Sequence, residues 1–143
     1  MSNIFGGSAT EFWMSTSRQD PILVERRRTM RPLQVGVTKR AFQLGVPLVG
    51  ATDLDYVQRY DSGRVTVADN AIGFAEAGIP EMAAIKAITS RAAKLLGIDN
   101  RTGAIRKGFE ADIVVIGGNP LLSIEALKDI RVIVNDGTVV LNK

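Results

Sequence analysis

One carboxylate in this sequence lies where a catalytic or metal-binding group would be expected. Asp53 follows the short apolar run 46–51, which is bounded by Gly45 before it and Thr52 after it. A uniformly apolar run of this length predicts a buried parallel strand, here over Leu48–Ala51. Because ligand sites in α/β folds form at the carboxyl ends of such strands, Asp53 could bind a cation or accept a proton. The same residue type also caps segments or faces water, and the spacing alone leaves that alternative open.

The composition limits the chemistry that could surround such a carboxylate. The chain contains no Cys and no His. Without Cys there are no disulfides, thiolate nucleophiles or Cys-based zinc sites. Without His this chain alone cannot build a Ser–His arrangement or the usual hydrolytic metal site. Asp and Glu side chains remain as metal ligands or as acid and base groups.

Length and charge narrow the class of protein further. The chain has 143 residues, too few for a complete (β/α)₈ barrel, which needs roughly 200. The formal net charge is only +3, so neither a nucleic-acid partner nor a membrane partner follows from it. No apolar run approaches the ~18 residues of a membrane span, and the first residues lack the basic region of a signal peptide. We therefore expect a cytoplasmic protein.

The elements that would position Asp53 follow from hydrophobic periodicity and from turn residues. The first two thirds of the sequence alternate helical patterns with the single apolar run, and the remainder is rich in strands and turns. The predicted helices are Leu33–Leu44, Thr66–Ala77 and Glu81–Leu96, the last with a break near Thr89 and Ser90. The predicted strands are Ala104–Ile105, Ile113–Ile116, Val132–Val134 and Thr138–Leu141, the last two joined at Asn135-Asp136-Gly137. Residues 123–128 are expected to form one or two helical turns.

A basic cluster precedes the first of these helices. It comprises Arg26, Arg27, Arg28 and Arg31, with Glu25 beside it. Such a cluster can contact phosphate groups, as in a small nucleic-acid binder, but charge runs of this kind are usually a solvated helix face. We favour the solvated face.

Four blocks of sequence together resemble the metal-dependent amidohydrolase superfamily. Residues 38–53 resemble the junction of its helix 7 and strand 8, and residues 75–97 resemble the segment that follows. Residues 102–119 resemble the return to its small β-domain, and residues 132–140 resemble its closing hairpin. The order and approximate spacing of all four blocks agree with the family. The imidazolonepropionase-like and prolidase-like members are the most similar subset.

The resemblance gives Asp53 a specific role. In the family, the aspartate after strand 8 binds the metal and acts as the general base toward the attacking water. The family's His-x-His pair, bridging lysine and later histidines belong to strands upstream of this segment, and none is present here. The sequence also departs from the family at Ala51, where glycine is usual, and at Ile79, where a threonine caps the helix. Asp55 falls where loop residues often face substrate, but the resemblance assigns it no role.

The fold implied is α/β: the last β/α unit of an amidohydrolase barrel followed by C-terminal strands of a small β-sandwich domain. Residues 1–98 would form the barrel end, with helix 7, strand 8 and helix 8, and residues 99–143 would form part of the β-domain. The implied activity is hydrolysis of amide-type C–N bonds in a cyclic amide, a dipeptide or an acyl-amino acid. The chain alone is expected to be inactive, and the alternative is a non-catalytic truncated or split-gene assembly protein.

The same resemblance implies a cofactor and a kind of partner. Zinc or another divalent metal serves the family, but with Asp53 as its one ligand this chain is expected to bind none tightly by itself. An unpaired strand and an incomplete β-domain would expose polar backbone groups and apolar surface. We therefore expect self-association or pairing with a complementary N-terminal fragment.

Overall fold

The computed structural model describes residues 21–51 and 66–143. A long first helix, α1 (Pro21–Gln43), extends the predicted Leu33–Leu44 helix back through the basic cluster. It ends where Gly45 adopts φ +76°, a left-handed conformation that glycine takes at little cost. Glu25, Arg26 and Arg28 are exposed on α1, in agreement with a solvated face.

Three shorter helices follow: α2 (Val67–Glu76), α3 (Glu81–Ile88) and α4 (Ser90–Leu95). The predicted break in Glu81–Leu96 is confirmed. Thr89 leaves the helical region at φ −127° and ψ −99°, and its hydroxyl donates to the Ile85 carbonyl at 2.8 Å. Pro80 precedes α3, and its carbonyl accepts from the backbone N–H groups of Ala83 and Ala84.

The buried core lies between α2 and α3. Small side chains at the contact let the two helices pack closely. The buried cluster consists of Ala71, Phe74, Ala77, Ile79, Ala84 and Ala87. Val35 and Phe42 of α1 pack against it from one side, and Ile124 and Leu127 pack against it from another.

The C-terminal part is a three-stranded antiparallel sheet in the order β1 (Ile113–Ile116), β2 (Ile130–Asn135) and β3 (Thr138–Asn142). The 3₁₀ helix Ile124–Lys128 connects β1 to β2, as predicted for residues 123–128. The predicted hairpin is confirmed. Asp136 and Gly137 occupy its turn with φ values of +48° and +76°, as a type I′ turn requires.

Two predicted strands are wrong. Ala104 and Ile105 lie in a turn-rich loop beside Gly103, which has φ +86°, and Ile105 is 87% exposed. Leu48–Ala51 is neither helix nor strand. A strand needs neighbouring strands to complete its hydrogen bonds, and no described strand lies beside this segment. The Gly50 N–H instead donates to the Ala87 carbonyl of α3 at 3.1 Å.

Candidate functional site

Asp53, the predicted site residue, lies outside the described residues, as does Asp55. What the structure does describe is the backbone on either side of residues 52–65, up to Ala51 and from Thr66 onward. These two approaches, the first ending at Ala51 and the second beginning at Thr66, flank in sequence the segment that carries Asp53.

The approach to Asp53 is fixed by a close backbone contact at Gly50. Gly50 is buried, and its N–H is bonded to Ala87. A Cβ at this position would lie 2.6 Å from Ile88 Cγ2 and 3.0 Å from Asn70 Cβ, which is closer than carbon atoms approach. Only glycine therefore lets the chain pass between α2 and α3 at this point. The glycine that is usual in the family at position 51 is Ala51 in this chain, and Gly50 precedes it.

The return from residues 52–65 is fixed by a buried carboxylate at the start of α2. Asp69 is fully buried, and its Oδ2 accepts from the Thr66 N–H at 2.7 Å and from the Thr66 hydroxyl at 3.2 Å. This is the return bond of a capping box, which fixes the angle at which the chain enters the helix. The negative charge also interacts favourably with the positive end of the helix dipole.

The same carboxylate links the helical part to the C-terminal part. Lys128 Nζ, on the 3₁₀ helix Ile124–Lys128, lies 2.8 Å from Asp69 Oδ1. A buried charge is stable only when it is paired and hydrogen-bonded, and Thr66 and Lys128 together meet that need. A second ion pair, between Arg31 and Glu76, joins α1 to the end of α2.

Asn70 adds a buried amide at the junction of the two approaches. Its side chain is 1% exposed and packs against the Gly50 backbone. Among residues 21–51 and 66–143, Asn70 Nδ2 has no hydrogen-bond partner. Buried donors are normally satisfied. The amide is therefore a donor available beside the point where the chain leaves toward Asp53.

The described residues do not fit a metal site by themselves. Within the ranges that the structure covers, no three Asp or Glu side chains come together, and the chain has neither His nor Cys. A catalytic zinc site takes about three protein ligands. The described residues therefore do not complete such a site.

Asp69, Asn70 and Lys128 were not among the site residues predicted from the sequence. The pattern Thr66-x-x-Asp69 ahead of an apolar helix is a capping-box signature and would have indicated the role of Asp69. Nothing local in the sequence indicates the Lys128 contact. Asp112, just before β1, accepts a hydrogen bond at its Oδ1 from the Asp136 N–H at 2.9 Å.

Comparisons with known proteins show what the chain is similar to. The model of the amidohydrolase family matches residues 34–141. The crystal structure of a Xaa-Pro dipeptidase with methionine bound in its active site is 27% identical in sequence to this chain, with a TM-score of 0.73. The match covers 94% of this chain and 33% of the dipeptidase chain. No curated protein matches the chain.

Two further crystal structures share the fold. An amidohydrolase is 23% identical with a TM-score of 0.76, covering 99% of this chain and 34% of its own. A putative prolidase from Bifidobacterium longum is 23% identical with a TM-score of 0.70, covering 94% of this chain and 34% of its own.

The fold and the family match define the class of protein: the chain belongs to the amidohydrolase family. It spans about a third of the length of the solved structures that it matches. No helix within the described ranges is both long and apolar enough to cross a membrane.

Proposed function

We propose that this chain supplies one carboxylate-bearing portion of an amidohydrolase that cleaves amide-type C–N bonds. The observation that carries the proposal is the family match over residues 34–141, which includes Asp53. In this proposal residues 1–98 belong to the end of the barrel, where Leu48–Ala51 would become a strand once neighbouring strands pair with it. Residues 99–143 form part of the small β-domain. The prolidase-like structures among the neighbours favour a dipeptide over a cyclic amide or an acyl-amino acid as substrate.

Asp53 is the residue to which the proposal assigns the chemistry. It would act as a metal ligand and would accept the proton of the attacking water, the two roles that the resemblance implies. The packing at Gly50 and the Thr66–Asp69 cap support these roles, because they fix both ends of the segment that carries Asp53. A general base must be held within hydrogen-bond reach of the proton that it removes.

The remaining ligands have to come from another segment or another chain. Zinc or another divalent metal would be bound only when histidines are supplied to the same site, because Asp53 alone provides one donor. The partner is then a histidine-bearing barrel portion, and self-association is the alternative way to cover the exposed apolar surface. The second candidate function is a non-catalytic assembly protein, which the lack of His favours.

The reading frame upstream in the source DNA distinguishes the two functions. If the chain is part of an enzyme, that reading frame should encode the His-x-His pair and the two later histidines. The polypeptide that it encodes should then co-purify with this chain. The combination should hydrolyse Xaa-Pro dipeptides, and Asp53→Asn should lower kcat by about a thousandfold, as loss of a general base does. Asp61→Asn is the matched control, because Asp61 is a carboxylate of the same segment to which the resemblance gives no role; it should retain activity within about tenfold. Equal activity of the Asp53→Asn and wild-type combinations would reject the catalytic role.

A further inference from the structure

A basic cleft lies between α4 and the loop that follows it. Its volume is about 240 Å³. Arg91 and Lys94 line it from α4, and Arg106 lines it from the loop. The hydroxyl-bearing residues Ser90 and Thr102 also line it. Three cationic side chains and two hydroxyl groups therefore border one small space.

The charge of this cleft is not neutralised within the described part of the chain. Arg91, Lys94 and Arg106 form no ion pair there, whereas Arg31, Arg101, Lys128 and Arg131 each do. One acidic residue, Asp99, lies in the lining, and it pairs with none of the three. The lining thus carries a formal charge of +2. Like charges that border one space repel each other, and a bound dianion would relieve that repulsion.

Several contacts stabilise the conformation of the loop that carries Arg106. Arg101 and Glu110 form an ion pair at 2.8 Å, and the Glu110 N–H donates to the Arg101 carbonyl at 2.8 Å. Gly103 is packed against α4, since a Cβ there would lie 2.6 Å from Ala93 Cβ. The Arg106 guanidinium lies 5.7 Å from the centre of the Phe109 ring, within cation–π distance. These contacts place the Arg106 charge before any ligand binds.

We propose that this cleft binds the phosphate group of a small molecule. A dianionic phosphate matches the +2 charge, and its oxygens accept hydrogen bonds from guanidinium, ammonium and hydroxyl donors together. The volume lies below the ~300 Å³ at which pockets for drug-sized ligands begin. A small phosphorylated molecule or free phosphate is therefore the class of ligand that fits. The proposed phosphate site does not depend on the proposed hydrolysis.

The proposal is tested by equilibrium dialysis of the full chain against radiolabelled inorganic phosphate. The salt concentration is about 0.15 M, so that nonspecific electrostatic attraction is screened. Saturable binding of one phosphate per chain is expected. Arg91→Gln and Arg106→Gln should each weaken it by about tenfold, as loss of one charged hydrogen bond does. Lys107→Gln is the matched control, because Lys107 is an exposed cation of the same loop but does not line the cleft. It should change the affinity by less than about twofold.

Competition by ribose 5-phosphate distinguishes the two sources of phosphate. Tighter binding of the ester identifies a phosphorylated metabolite, and tighter binding of inorganic phosphate identifies the free ion. If Arg91→Gln does not fold, Lys94→Gln replaces it, since Lys94 is exposed. Absence of saturable binding, or an equal loss in Lys107→Gln and the cleft variants, would overturn the proposal.

Discussion

Removal of the Asp69 charge should destabilise the chain more than most single substitutions. Asp69 is fully buried and accepts the Thr66 N–H at 2.7 Å, and Lys128 Nζ lies 2.8 Å from its other oxygen. Asp69→Asn keeps an oxygen for Thr66 but loses the attraction to Lys128. Lys128 contacts Oδ1 as an ion pair without hydrogen-bond geometry, and breaking a buried ion pair costs about 3–5 kcal/mol. Because the Lys128 side chain is 36% exposed, solvent screens part of this attraction. We therefore expect a loss of about 2 kcal/mol.

Urea unfolding at one fixed protein concentration, followed by circular dichroism, measures this loss. Lys128→Met should cost about 1.5 kcal/mol, because it leaves the Asp69 charge buried with only the Thr66 contacts. The double variant should lose about 1 kcal/mol less than the two single losses added together, since the two residues share one interaction. In a thermal melt, Asp69→Asn should lower Tm by about 6 °C for a chain of this length.

Glu125 provides the control for this cycle. Its carboxylate lies 3.9 Å from Lys128 Nζ on the exposed side of the same 3₁₀ helix. Glu125→Gln should change the free energy of unfolding by less than about 0.5 kcal/mol, as expected of exposed ion pairs. Two results would refute the assignment of the Asp69–Lys128 ion pair as the link between the helical and C-terminal parts. One is a loss of less than about 0.5 kcal/mol for Asp69→Asn, and the other is strictly additive losses in the double-mutant cycle.

Two further predictions follow from packing and exposure. Gly50→Ala should lower the free energy of unfolding by about 1–3 kcal/mol, because the new Cβ meets Ile88 Cγ2 and forces the helices apart. Gly36 is an exposed glycine in α1 whose Cβ would meet nothing within 4 Å, so Gly36→Ala should instead raise that free energy by about 0.5–1 kcal/mol in the same assay. The sheet exposes apolar side chains on Val114, Val115, Val139 and Val140, so light scattering at micromolar concentration should give a mass above 15.4 kDa. A constant mass of 15.4 kDa over a hundredfold dilution would show instead that the chain folds as a stable monomer.

The sequence predicted the elements whose structure is set locally. The hairpin was foreseeable because Asp136 and Gly137 both take positive φ, and few other residue pairs do so at low cost. The helix break at Thr89 and the end of α1 at Gly45 were likewise local.

Features that depend on distant residues were not foreseeable in the same way. The expected strand at Leu48–Ala51 requires neighbouring strands, and sequence patterns cannot show whether they are present. The contact of Lys128 with Asp69 joins residues that are far apart in the chain, so no spacing rule indicates it. Asp53 was assigned by resemblance alone and lies outside the described residues, so its role stays a prediction.

Zinc affinity, measured by competition with a chelating indicator, tests most directly whether Asp53 is a metal ligand that needs histidines from elsewhere. The chain alone should bind zinc no tighter than about micromolar, since it offers too few ligands. Its combination with the histidine-bearing polypeptide should bind zinc tightly, and Asp53→Asn should weaken that binding by at least about tenfold. Submicromolar zinc binding by the chain alone that is lost in Asp53→Asn would contradict the account, as would tight binding by the combination that Asp53→Asn leaves unchanged.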